Sequence, residues 1–360
     1  MKYLVNISVG IVALCVLSGC SVMETDVLEP NKEERVPLAV NNVGVSTKSI
    51  YTGIGTGQNE LQRIGVVVTN SSGGYYDDTN QTQLFYYNGS TWGMKKDTLF
   101  LADRSGTVYT SSIPSDSESF NVSLVTGMPV LSGTISANQT CTPPTDDIAP
   151  LSDVSQYDYL YGVEPGAASN RPSVSHKQNT VSLEMRHFLA KVSFRFMKAN
   201  GQPEPDANDY VKQVMLNSTD APSFLAGGTY SFNLGNGVVS GASSLSAELT
   251  FTTKTPPSDL RQVDTYTADY AGLAAKMFGL VAPVSNVKGT ISVLLGAKDN
   301  TTKDRIYLAE ISTFTWESGN HYIYTLQVND AGLQVSKPQV VGWEETTYTK
   351  PIQPDGVTPN

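Results

Sequence analysis

The chain has 360 residues, too many for one typical domain and suited to two of about 150–170 residues each. With 18 Tyr, 30 Gly, 19 Pro and only 16% charged residues, it reads as a β-rich globular protein, which excludes a coiled coil or a charged disordered tail. The net charge of −10 excludes nucleic acid as a partner, because little here would neutralise phosphates, and it gives no electrostatic hold on anionic lipid.

The chain opens with Lys2, an apolar run over residues 4–17, and Leu17-Ser18-Gly19-Cys20. The run is too short to span a membrane and has the flanks of a signal peptide. Its end resembles a bacterial lipobox, which implies cleavage between Gly19 and Cys20 and acylation of the Cys20 thiol. The alternative is an ordinary signal with an incidental cysteine. Cys15 would leave with the signal, so no disulfide framework is available and stability must come from buried cores. Residues 20–35 carry acids at Glu24, Asp26 and Glu29 with no periodicity, and read as a tether.

A first strand is expected over 35–45, weakened by Pro37 and therefore near an edge. Residues 62–69 (QRIGVVVT) form an apolar strand, and 84–92 a hairpin around Asn88-Gly89, where positive φ angles are needed. Further strands are expected at 98–102, 107–109, 120–125 and 130–136, then at 157–162 after a Pro-rich loop over 142–150. Residues 181–196 (VSLEMRHFLAKVSFRF) hold the most informative pattern. Val181, Leu183 and Met185 face inward on odd positions, whereas Ala190, Val192, Phe194 and Phe196 do so on even ones. A register break does that, and so does one stretch of chain leaving one sandwich and entering another. Strands follow at 210–216, 229–233, 245–252, 280–283, 289–295, 305–311, 322–328 and 332–341, with 268–278 either a short helix or a loop. Short strands with turns every eight to twelve residues describe a β-sandwich, here twice over.

The catalytic inventory is thin. His176, His187 and His321 have no metal-ligand spacing, and the sequence contains neither a G-x-S-x-G elbow nor a P-loop. His187 and His321 read as structural, His187 satisfied by backbone groups. Cys141 has no cationic neighbour to activate it and reads as an inert thiol. The acid pairs Asp77-Asp78, Asp146-Asp147 and Glu344-Glu345 lie in loops that fix no carboxylate separation. Asp146-Asp147, or Asp206 with Asp209, would be the calcium candidates, against a plainer reading as solvated turns. The tyrosines at 75–76, 86–87 and 157–161 could stack on sugars or simply pair across strands. No catalytic set, metal site or cofactor is expected.

Several stretches in order match one family. They are the lipobox, Thr47-Lys48 after the first strand, residues 87–92 (YNGSTW), 157–162 (YDYLYG), 185–194 (MRHFLAKVSF), 316–324 (WESGNHYIY) and 340–343 (VVGW). The chain resembles the fimbrillins of Bacteroidetes, the type V pilins and Mfa-like surface lipoproteins. The resemblance implies an all-β protein with two tandem transthyretin-like sandwiches and no enzymatic activity. It divides the chain into signal peptide 1–19, tether 20–35, N-terminal sandwich 36–186, C-terminal sandwich 187–343 and mobile tail 344–360. The early acids of the tether resemble the family's surface-export signal.

The resemblance also implies a route. The lipid on Cys20 anchors the chain to the outer membrane, and a trypsin-like surface protease cuts after the first strand, here at Lys48. A strand from the C-terminus of another fimbrial subunit then fills the groove and builds a surface fimbrium that serves adhesion to a host or bacterial receptor. Leu38, Val40 and Val45 would line the removable strand, and residues 332–343, or those just beyond, would be the donor. Lys48 stands where arginine is usual, and Arg35 is a competing site whose cleavage would leave the groove closed. A proline-rich tail is a poor donor in its last residues. The alternatives are a fimbrial tip or anchor, or a non-polymerising outer-membrane lipoprotein that binds glycan.

Overall fold

The computed structural model describes residues 35–45, 53–56, 60–94, 99–114, 117–142, 154–219, 223–241, 245–254, 258 and 260–342. Gly19, Cys20, the tether up to Glu34, Lys48, Asp146-Asp147 and the tail after Gly342 lie outside these. The described residues are strand, turn and loop. One three-residue 3-10 turn, Tyr270–Gly272, stands where a short helix or a loop was weighed.

The main strands of the first half are β1 (Ala39–Val45), β2 (Arg63–Asn70), β3 (Thr82–Tyr87), β4 (Trp92–Met94) and β5 (Gly106–Ser112). They continue with β6 (Val122–Val125), β7 (Met128–Ile135), β8 (Asn138–Cys141), β9 (Leu160–Val163) and β10 (Thr180–His187). After these come β11 (Ala190–Lys198), β12 (Tyr210–Ser218), β13 (Gly228–Asn233), β14 (Glu248–Thr253) and β15 (Met277–Val281). The last are β16 (Val284–Ala297), β17 (Asn300–Trp316), β18 (Asn320–Asn329), β19 (Gly332–Val335) and β20 (Gln339–Gly342).

The largest sheet runs β1-β10-β9-β5-β2-β3-β4, with Ser173–Val174 also on β5. A second runs β15-β11-β18-β19, with β20 on the same side of β18 as β19. A third runs β8-β14-β12-β16-β17, and a fourth joins β6, β7 and β13. Strands β7 and β8 precede His187 in sequence yet pair with β13 and β14, which follow it.

The 181–196 stretch shows how sequence sets this architecture. Val181, Leu183, Met185 and His187 are buried along β10. The chain then leaves the first sheet through Phe188-Leu189, both fully buried, and enters the second as β11. The expected change of parity falls at this link. Lys191 and Ser193, on the odd positions that alternate with the inward-facing even ones, are buried as well, in a central strand between β15 and β18.

Two apolar clusters form the core. The first gathers Leu38, Val40 and Val43 with Ile64, Val66, Val68, Phe85, Trp92, Val108 and Leu183. The second surrounds Phe194, Phe251, Phe314, Trp316 and Tyr324 and extends to Phe120 and Ile135. There the Trp316 indole stacks on Phe224 with ring centroids 5.6 Å apart and donates to the Tyr324 hydroxyl at 3.0 Å. Burial pushes the Tyr324 phenol up to about 12 despite that hydrogen bond.

The 84–92 hairpin forms as β3 and β4, with only Gly89 at positive φ (102°). Asn88 keeps an ordinary backbone and uses its side chain instead. Its Oδ1 accepts from the amides of Ser90 at 3.0 Å and Thr91 at 2.8 Å.

Candidate functional site

The site follows from how the first strand is held. Val36 and Pro37 pair with Leu101 and Phe100, and the Leu38 amide donates to the Leu99 carbonyl at 2.9 Å. Pro37 can sit here because its missing N–H falls at a sheet margin. Asn179 then grips the turn into β1. Its Nδ2 donates to the Pro37 carbonyl at 2.8 Å, and its own carbonyl accepts from the Ala39 amide at 2.8 Å.

From Ala39 to Val45, β1 runs parallel to β10, in register from Ala39 opposite Thr180 to Val45 opposite Met185. The register shifts once, with Val40 opposite Val181 and Asn42 opposite Ser182, so Asn41 is the extra residue of a bulge. The shift explains the burial pattern. Leu38 and Val40 point inward, Asn41 and Asn42 are exposed, and Val43 turns inward again.

β1 is a terminal strand of its sheet, with β10 its only ladder partner among the described residues. Leu38, Val40 and Val43 nevertheless enter the first core, at 1%, 6% and 2% exposure. An edge strand whose side chains form part of the core is a plug: backbone pairing on one side, and pockets beneath it. Of the expected lining, Leu38 and Val40 are buried and Val45 is half-buried, while Val43 was missed. The Asn41-Asn42 break in the alternation was its signal. Arg35, exposed, lies just ahead of the segment.

The C-terminal run occupies an edge as well. β19 pairs with Leu326–Asn329 and β20 with Asn320–Ile323, both antiparallel along β18. Ser336, Lys337 and Pro338 break the ladder between them. Leu333 is buried, whereas Val340 is 53% exposed.

The remaining candidates are structural. His187 is met by a carboxylate rather than by backbone alone: its Nδ1 lies 2.9 Å from Asp158 Oδ2, and both side chains are buried. His321 Nε2 lies 2.7 Å from Ser193 Oγ, a nucleophile-and-base pairing in type. Both residues are buried, out of reach of a substrate. Burial, with Lys191 and Arg195 nearby, holds the His321 imidazole well below its usual value. Cys141 is fully buried, its Sγ 3.5 Å from Met277 Sδ.

Asp209 is an ion-pair centre rather than a calcium ligand. Lys198 Nζ lies at 2.8 Å and Arg305 Nη2 at 2.7 Å. Burial raises its pKa, but hydrogen bonds from Lys198, the Asp206 amide and Arg305 and the Lys198 charge together hold it below the usual carboxylate value. Among the described residues no group of three or more His, Cys, Asp or Glu side chains could hold a metal.

Of the tyrosines weighed as sugar platforms or cross-strand partners, Tyr75, Tyr76 and Tyr159 make contacts within the fold. The Tyr76 hydroxyl bonds Ala102 and Arg104, that of Tyr75 donates to the Val122 carbonyl, and Tyr159 stacks on Phe232 at 4.2 Å.

No curated protein sequence matches the chain. Solved structures share its fold. A fimbrial protein from Bacteroides vulgatus is 13% identical with a TM-score of 0.52, over 86% of this chain and 100% of that one. A candidate cell-adhesion protein from Bacteroides ovatus is 16% identical with a TM-score of 0.52, over 87% and 99%. The family model described as fimbrillin-like matches residues 52–343, most of the chain, so this protein belongs to the fimbrillin-like family.

Proposed function

We propose that the protein is a structural subunit of a surface fimbria, assembled by strand exchange after proteolysis and supporting adhesion. In this reading the chain reaches the outer membrane as a lipoprotein acylated on Cys20. A trypsin-like protease cuts at Lys48, and β1 leaves its groove. Two sandwiches, meeting near His187, make up the shaft unit.

One observation carries the reading. β1 is an edge strand with Val40 and Val43 in the core, entered through the buried Leu38, and it ends at Val45, three residues before Lys48. Loss of such a strand uncovers the backbone donors and acceptors of β10 together with apolar pockets, and a strand from another chain satisfies both at once. Cleavage at Arg35 would leave β1 in place.

The test is Lys48→Ala in a soluble precursor that carries Cys20→Ser. Limited trypsin should cut the Cys20→Ser parent at Lys48 and shift it to higher oligomers, while the added Lys48→Ala should abolish both effects. Fibres built on cells by a Lys48→Ala chain would overturn strand removal at this site.

A tip or anchor subunit is the second reading. It is favoured by the tail after Trp343, whose Pro351, Pro354 and Pro359 make its last residues a poor donor strand.

A further inference from the structure

We propose that the C-terminal segment is guarded, by proline placement, against the same protease that matures the chain. This inference rests on the strand-removal reading, which needs a trypsin-like enzyme to act on an exposed basic residue and leave the donor end whole.

Beyond Arg305 the sequence has two residues a trypsin-like enzyme could cut after, Lys337 and Lys350, and each is followed by proline, Pro338 and Pro351. With 19 Pro in 360 residues, such pairing at both positions is not the expectation of chance. The maturation candidates differ: Lys48 is followed by Ser49 and Arg35 by Val36.

The structure shows why Lys337 needs a guard. Most basic side chains near it in sequence belong to strands, where ladder hydrogen bonds keep the backbone out of a protease cleft. Lys337 is exposed and lies in the break between β19 and β20. The Ser336 amide still donates to the Thr325 carbonyl at 3.0 Å, but the ladder resumes only at Gln339. Exposed breaks between ordered segments are where proteolytic nicking concentrates. A cut here would sever β20 and everything after it, the region from which a donor strand must come.

Proline removes that hazard chemically. In a trypsin-like reaction the serine oxygen adds to the lysyl carbonyl and the histidine protonates the departing nitrogen. Water then releases the lysyl carboxylate from the acyl-enzyme. With proline next, the departing nitrogen belongs to a ring and carries no hydrogen. The ring also confines Lys337 to extended conformations and fills the space where the next residue's amide would sit. Arg171, in the connection from β9 to β10, is likewise followed by Pro172.

The experiment compares three full-length soluble precursors, all carrying Cys20→Ser, under limited trypsin with intact-mass and oligomer readouts. The parent should be cut at Lys48 and keep its C-terminus. Pro338→Ala should also be cut after Lys337, losing residues 338–360 from the mass, and should fail to polymerise. The double variant Lys337→Gln/Pro338→Ala should keep its C-terminus and polymerise like the parent, which separates protection from any structural role of Pro338. The proposal is overturned if Pro338→Ala stays whole at Lys337, if it polymerises after that cut, or if the double variant fails to polymerise. A Pro338→Ala chain cut at Lys337 but never at Lys48 refutes strand removal while upholding the guard.

Discussion

Leu38→Ala tests directly whether β1 is a plug. Leu38 is 1% exposed, its amide is bonded to Leu99, and it sits in a cluster with Trp92 and Val181. Leu→Ala in a packed core costs about 2–5 kcal/mol. A terminal strand can collapse onto the gap more easily than a central one, so about 2–3 kcal/mol is expected. Against a typical unfolding free energy of about 5–15 kcal/mol this is a large share. The assay is urea unfolding followed by tryptophan fluorescence, to which Trp92 in the same cluster contributes beside Trp316 and Trp343. For a slope of about 3 kcal/mol per molar, the midpoint should fall by about 0.7–1 M. Val340→Ala, at an exposed site on β20, is the control and should stay within about 0.5 kcal/mol of the parent. If Leu38→Ala behaves like that control, β1 is not seated in the core. The groove argument then fails, whatever the protease does.

Stability should fall as pH drops. The His321 pKa is depressed by burial and by Lys191 and Arg195, so its contribution is complete above the unfolded value near 6.5. That contribution is lost as pH falls from there toward the folded value, and His321→Gln should flatten the urea-midpoint profile in this window. Asp209, also depressed, adds a second loss below about pH 4, which Asp209→Asn should remove at the cost of lower stability at neutral pH. Asp158→Ala removes the hydrogen-bond partner of the buried His187 ring and should cost about 1–3 kcal/mol in the same assay.

Much of this was legible in the chain because strand periodicity is a local signal. The alternation over 181–196 located the passage between sheets, since a reversal of inward parity can be read without knowing the partners. The edge position of the first strand followed from Pro37. Burial of Lys191 and Ser193 was not legible, because a central strand covered on both faces differs from a half-buried one only through its neighbours. The Asp158 partner of His187 and the Asn179 clamp on Pro37 are likewise long-range, 29 and 142 residues apart in sequence. Strand β17 was expected over 305–311 but spans Asn300–Trp316, since its polar start is held by pairing with β16 and its end by the burial of Phe314 and Trp316. The tyrosine pairs left two readings open for a related reason: ring-rich strands look alike whether the rings meet sugar or, as with Tyr159 on Phe232, another ring.

The central claim is that the chain matures by losing β1, and the N-terminal residue of the protein in surface polymers tests it most directly. Polymers sheared from cells and sequenced from the N-terminus should begin at Ser49, with acylated Cys20 found only in the unassembled precursor. Polymers whose subunits begin at Cys20 or at Val36 would still contain β1 and would contradict the account.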